Sequence, residues 1–257
     1  MKAPLTFPTP HRISRAMALL SSLLIAGGAC AQVIVSNTTS VPLNATINQS
    51  SFSDASNVQA RDQTGSVRAV SQTFTWNSAQ ALDGLGMRLA TAQNTLNPYT
   101  TNSTWVLDIQ QLSGNGLQAA ASIVSTVAHL TFTLPASAVS PESYLYFDLS
   151  TNLSLTNGGT YGFILYPETS SDTFQRLFFS RSANTSVYSG GVAAQVSSVT
   201  GPGPYSGSYG GQGYDLGFYL VAVPEPGVQG LLAMGACAIV ILVRARNRRA
   251  MDAPTRA

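Results

Sequence analysis

The sequence predicts an all-β protein: an antiparallel β-sandwich of jelly-roll type, with an N-terminal signal helix and a C-terminal transmembrane helix. Three observations lead there. About nine short runs between residues 67 and 223 carry apolar residues at period two. Clusters of Gly, Pro, Asn and Ser separate these runs at roughly regular spacing. Outside the two ends no long stretch has helical period, and many short antiparallel strands pack as two facing sheets.

The first element is a targeting segment. Lys2, Arg12 and Arg15 precede the short apolar run Ala16 to Ala26, and Ala29-Cys30-Ala31 supplies a small-x-small site. This order is that of a secretory signal peptide over residues 1–31, read by the Sec machinery and cut by signal peptidase after Ala31. An alternative makes Cys30 a lipidated residue, with Gly27 standing where such signals usually carry Leu. Residues 32–66 follow, rich in Ser, Thr, Asn and Gln with little apolar periodicity, and read as a polar arm holding one or two short strands.

The predicted sandwich covers residues 67–222. Val67 to Trp76, Leu82 to Leu89 and Trp105 to Leu112 are its first strands, with Trp76 and Trp105 expected in the core. Val127 to Leu134, Tyr144 to Leu149 and Tyr161 to Tyr166 come next, the last two divided by the turn Asn157-Gly158-Gly159. Phe174 to Phe179, Ser186 to Tyr188 and Asp215 to Val223 complete the set. The Ala-rich run Gly116 to Ser125 is the one helical alternative. Residues 201–213 hold too much Gly and Pro for a strand and read as a mobile loop.

The C-terminal end reads Val223-Pro224-Glu225-Pro226, then an apolar run over residues 228–243, then Arg244, Arg246, Arg248 and Arg249, with 250–257 as a short tail. The 16 residues of this run span about 24 Å as a helix, short of the ~30 Å hydrocarbon core. The arginines would hold the far end in the cytoplasm. The two prolines keep the preceding backbone extended and accessible. A plain single-span tail anchor is the simpler alternative.

Tripeptide, short apolar helix and arginine cluster in this order, over residues 223–249, resemble the PEP-CTERM sorting signal. That resemblance implies an exosortase as partner, cleavage near Pro-Glu-Pro, and a Gram-negative host that makes exopolysaccharide. It further implies passage through the inner membrane to the cell surface or extracellular matrix. Here Gly227, Val228 and Gln229 follow the tripeptide, where many members carry Ser or Thr and an aromatic residue. The stretches Gln72-Thr73-Phe74, Tyr144 to Leu149, Leu153 to Leu155 and Gly159 to Phe163 resemble the choice-of-anchor β-sandwich domains. That second resemblance implies a fold and a surface setting and no catalytic residues.

Composition removes several chemistries. Only 9% of residues are charged, against about 25% in ordinary soluble domains. Between residues 32 and 222 five arginines face nine acids, a net charge of −4, and the only lysine of the chain is Lys2. No basic footprint for nucleic acid is present there. The two cysteines, Cys30 and Cys237, both lie in the end segments, so the domain has neither thiol nucleophile nor disulfide. His129 is its one histidine, and a lone strand histidine reads as a hydrogen-bonded structural residue. No Gly-x-Ser-x-Gly elbow presents a serine. Glu142 and Glu168, its only glutamates, read as ordinary loop acids rather than a glycosidase pair. No metal, cofactor or catalytic residue is expected.

Aromatics remain. Sugars stack on Trp and Tyr faces while Asn, Gln and Asp bind their hydroxyls. Tyr205, Tyr209 and Tyr214, around the glycine loop, are therefore candidate carbohydrate-binding residues, and Tyr99 sits in a turn. The expectation is a non-enzymatic, exosortase-processed surface or matrix protein associated with exopolysaccharide or biofilm. A carbohydrate-binding module at the cell surface is the alternative, and a glycoside hydrolase the third reading.

Overall fold

The computed structural model describes residues 33–62, 67–94, 99–114, 121–168, 175–183, 188–197, 203–209 and 213–224. The signal segment, residues 225–257, Glu225, Pro226 and the four terminal arginines lie outside them. Among the described residues no helix is long and apolar enough to cross a membrane.

Two antiparallel sheets make up the fold. The five-stranded sheet has the order β1-β8-β5-β12-β2, from β1 (Val33–Thr38), β8 (Tyr144–Leu153), β5 (Leu82–Arg88), β12 (Phe218–Ala222) and β2 (Ala45–Gln49). The second runs β10-β3-β4-β9-β6-β7, from β10 (Gln175–Arg181), β3 (Ser53–Asp62), β4 (Arg68–Trp76), β9 (Gly159–Pro167), β6 (Ser103–Leu112) and β7 (Ile123–Leu134). β11 (Ala193–Ser197) adds to β4.

Alternation decides which face is buried. In β8, Leu145, Phe147 and Leu149 enter the core, and the alternate Tyr144, Tyr146 and Asp148 stand on the opposite face. In β6, Trp105, Leu107 and Ile109 meet them from the other sheet, beside Phe74, Trp76 and Phe163. Phe132 meets Phe147 edge-on at 5.5 Å, and Phe163 meets Phe218 at 5.6 Å, so aromatic contacts bridge the sheets. Each such side chain contributes about 2–3 kcal/mol on burial. A core this continuous holds the domain without any cysteine.

Seven of the expected strands coincide with β4 to β10, and the Asn157-Gly158-Gly159 turn joins β8 to β9 with Gly158 at φ +78°. Four readings are corrected. Residues 33–62 are no arm: they supply β1, β2 and β3 to both sheets. Their polar side chains conceal the pattern because each strand is covered on one face only, as the burial of β2 shows. Tyr188 belongs to no strand, and β11 forms five residues later at Ala193. The helical alternative fails at residues 123–125, which open β7. Asp215 to Gly217 stand outside β12, because their backbone turns to the end of β10: Leu216 bridges Arg181, the Ser182 amide donates to the Asp215 carbonyl at 2.8 Å, and the Gly217 amide donates to the Ser180 carbonyl at 2.9 Å.

Candidate functional site

The outer faces of the two sheets differ in kind. On the six-strand path, segment 203–209 lies over the outward residues of β6 and β9. Asp108 is wholly buried and accepts three donors: the Tyr205 amide at 2.7 Å, the Tyr166 hydroxyl at 2.9 Å, and His129, whose Nδ1 stands 2.6 Å away. Gln110 donates to the Tyr205 carbonyl at 2.7 Å and accepts from the Tyr209 hydroxyl at 2.9 Å. Burial and the Asp108 charge push the Tyr166 phenol well above its ordinary pKa, so it remains a donor to that carboxylate.

This clamp corrects the carbohydrate reading of the glycine loop. Tyr209 is 1% exposed, and its ring lies over Gly162, where a Cβ would stand 2.5 Å away. Tyr209 also pairs through its backbone with Ala121. Tyr214 is buried beneath the Arg181 guanidinium, 4.7 Å from the ring centre. Tyr205 is half-buried and meets Tyr209 edge-on at 5.8 Å. These tyrosines hold the loop down, and they form no open platform. Tyr99 is buried too, bonded to Ser103 at 2.5 Å and to the Leu134 carbonyl at 3.2 Å.

The outer face of the five-stranded sheet carries a pocket of about 330 Å³ instead. Its floor is built across β8, β5 and β12. Gly86 lies in register between Tyr146 and Tyr219. Tyr219 leans over Gly86, where a Cβ would stand 2.2 Å from its ring, and Tyr146 leans over Gly84, where a Cβ would stand 2.2 Å from its hydroxyl. The two rings stack at 6.0 Å and 18°. The glycines weaken β5 as a strand, and the aromatic rings laid over them recover the lost packing.

Asp83 enters this pocket through a β-bulge. Register slips between Leu82 and Gly84, so Leu82 turns into the core while Asp83 joins the outer face. Asp148 stands opposite Gly84. Burial, and then the Asp148 charge, raise the Asp83 pKa. Neither side-chain carboxylate makes a hydrogen bond or ion pair with another described residue. Thr38 at the end of β1, and Ser40, Pro42 and Asn44 from the β1–β2 connection, wall the pocket's side. Burial first, then Asp83 and Asp148, raise the Tyr146 phenol, and burial raises Tyr219, so both hydroxyls stay protonated at neutral pH.

Chemically this is a flat aromatic wall beside the Asp83 carboxylate, an amide and two hydroxyls, with Asp148 on the neighbouring strand. Tyr146 was visible in the sequence as an outward residue of an alternating strand. Tyr219 and the glycines were visible as letters. Their meeting depends on β12 entering between β5 and β2, which no local pattern announces. Glu142 is exposed, takes φ +56°, and accepts from Thr91 at 2.8 Å. Glu168 is exposed at the exit of β9, in the other sheet, so these glutamates flank strands of different sheets. Among the described residues no three His, Cys, Asp or Glu side chains gather as a metal site. Of the sorting tripeptide and its neighbour, Val223 and Pro224 follow β12 directly, and the Val223 amide donates to the Ala81 carbonyl at 2.9 Å. Ala29 and Ala31 lie outside the described residues. A scan against protein-family models finds no match, and searches of the curated proteins and of the solved structures find no similar protein.

Proposed function

We propose that this chain is an exported surface or matrix protein that binds glycan in the pocket on its five-stranded sheet. Delivery follows the sequence signals: Sec export, signal peptidase cleavage after Ala31, then exosortase processing at Pro224-Glu225-Pro226 during passage through the inner membrane. Its fold is of jelly-roll type. Support comes from the nested pairing of β2 with β12, β4 with β9, β5 with β8 and β6 with β7, as in one long antiparallel ribbon rolled on itself.

The observation that carries the binding reading is the Tyr146–Tyr219 stack over Gly84 and Gly86, flanked by Asp83 and Asp148. A pyranose face stacks on the exposed side of Tyr146, and its hydroxyls donate to the carboxylates. Both acids lack protein partners among the described residues, so a ligand hydroxyl takes nothing away from the fold.

Titration of the full chain with the host's exopolysaccharide tests this. Binding is expected, with Tyr146→Ala weakening it about tenfold or more and Asp83→Asn weakening it less. Equal binding by Tyr146→Ala and the parent chain removes the pocket from the account. Release of reducing sugar, abolished by Asp83→Asn, would replace the non-enzymatic reading with a hydrolase. The sorting half has its own test. Loss of the host's exosortase is expected to leave a heavier, membrane-held form, and identical mass and location in both strains would refute it.

A further inference from the structure

Three of the domain's five arginines occupy one row across the second sheet. Arg61 in β3 stands opposite Arg176 of β10 on one side and opposite Arg68 of β4 on the other. Like charges directly opposite each other on neighbouring strands are destabilising. Here burial and the neighbouring guanidiniums depress the pKa of Arg61, and burial followed by Arg68 does so for Arg176. The cluster persists in a domain that is otherwise acidic. Two buried polar atoms, one in the row and one beside it, lack a hydrogen-bond partner. The Nε of Arg68 is buried with no hydrogen-bond partner, and so is Oε1 of Gln59, two residues from Arg61 along β3. Turning the Gln59 amide presents its NH2 as another donor.

We propose that Arg61, Arg68 and Arg176 form a binding site for the carboxylate groups of an extended anionic polysaccharide. Guanidinium forks match carboxylates in two-point hydrogen bonds, which lysine does not reproduce. The row crosses two strand spacings, about 10 Å. That is wider than a single carboxylate and suits charges repeated along a polymer. A nucleic acid is disfavoured because the rest of the domain is net acidic and would repel a dense line of phosphates. This site lies on the opposite sheet from the tyrosine pocket and does not depend on it.

The test is titration of the full chain with polygalacturonate, with galacturonate monomer, neutral dextran and a single-stranded DNA oligonucleotide as further arms. Polygalacturonate is expected to bind more tightly than the monomer, to weaken as salt rises, and to resist competition by excess dextran. Arg61→Gln with Arg68→Gln is expected to lower its affinity about tenfold. Where circular dichroism shows that pair unfolded, Arg61→Lys with Arg176→Lys keeps the charge, loses the forks, and is expected to weaken binding several-fold. Unchanged affinity in the folded variant overturns the proposal. So do full competition by dextran or tighter binding of the oligonucleotide.

Discussion

Gly84 and Gly86 lack side chains so that Tyr146 and Tyr219 can lie on the sheet. A stricter case is Gly191, where a Cβ would stand 1.8 Å from the Thr73 carbonyl oxygen, backbone against backbone. Gly191→Ala is expected to cost about 2–4 kcal/mol by denaturant unfolding. By contrast Gly84→Ala meets only the movable end of Tyr146, and its main effect is expected on glycan binding. Two carboxylates give opposite pH responses. Asp83 has a raised pKa, so its ionisation opposes folding, and stability declines as pH rises through its folded value. Asp83→Asn is therefore expected to raise the melting temperature at pH 7, with the gain vanishing near pH 3, while glycan binding falls. Asp54 is the reverse. Burial alone would raise its pKa, but bonds from Arg88 (2.9 and 3.1 Å) and Ser180, and the Arg88 charge, outweigh it and lower the value. Its stabilisation is present at neutral pH and is lost as pH falls through the folded value. Asp54→Asn should cost about 1–2 kcal/mol at pH 7 and little near pH 2, read from unfolding curves at both.

Among elements, the segment 203–209 shows how a loop without strand pattern becomes fixed. It is tied by Asp108 and Gln110, two polar residues that β6 points outward, and by the ring of Tyr209 over Gly162. Tyr209→Phe leaves Gln110 Oε1 without its donor and is expected to cost about 1–2 kcal/mol, whereas Tyr209→Ala should cost about 3–5. Hydrogen exchange of the Tyr205 amide, which donates to Asp108, is expected to be slow in the parent chain and fast in Tyr209→Ala. The first three strands teach a related lesson. Their polar composition reads as an arm, yet β3 and β10 pair along seven residues, and Val58 and Ala60 enter the core. Deletion of residues 33–62 is expected to abolish cooperative unfolding, where loss of an arm would leave it intact.

At the scale of the molecule, the first two and the last of the described strands, β1, β2 and β12, lie in one sheet. β12 fills the gap between β5 and β2, so the sandwich closes only when residues 218–222 arrive. Pairing of such distant segments makes folding slow, on the order of milliseconds to seconds. It also sets where processing is harmless. A chain ending at Pro224 retains every strand and the Val223–Ala81 bond, and its melting temperature is expected to match that of the full chain. One ending at Gly217 lacks the central strand and is expected not to fold. A cut at Pro-Glu-Pro would thus fall just past the Val223–Ala81 bond, the last backbone bond along the chain among the described residues.

The sequence by itself determined the all-β class and most strand positions. Alternation and turn residues act over a few positions, so they are legible locally. The apolar lengths and flanking charges at the two ends, on which the proposed export and sorting rest, are likewise properties of contiguous residues. Only the tertiary structure decided which tyrosines are open, that polar residues 33–62 build sheet, and that three arginines stand in one row. Each of these depends on strand neighbours far apart in sequence. A side chain's exposure is set by what crosses over it, and period two says which face a residue takes without saying what will cover that face.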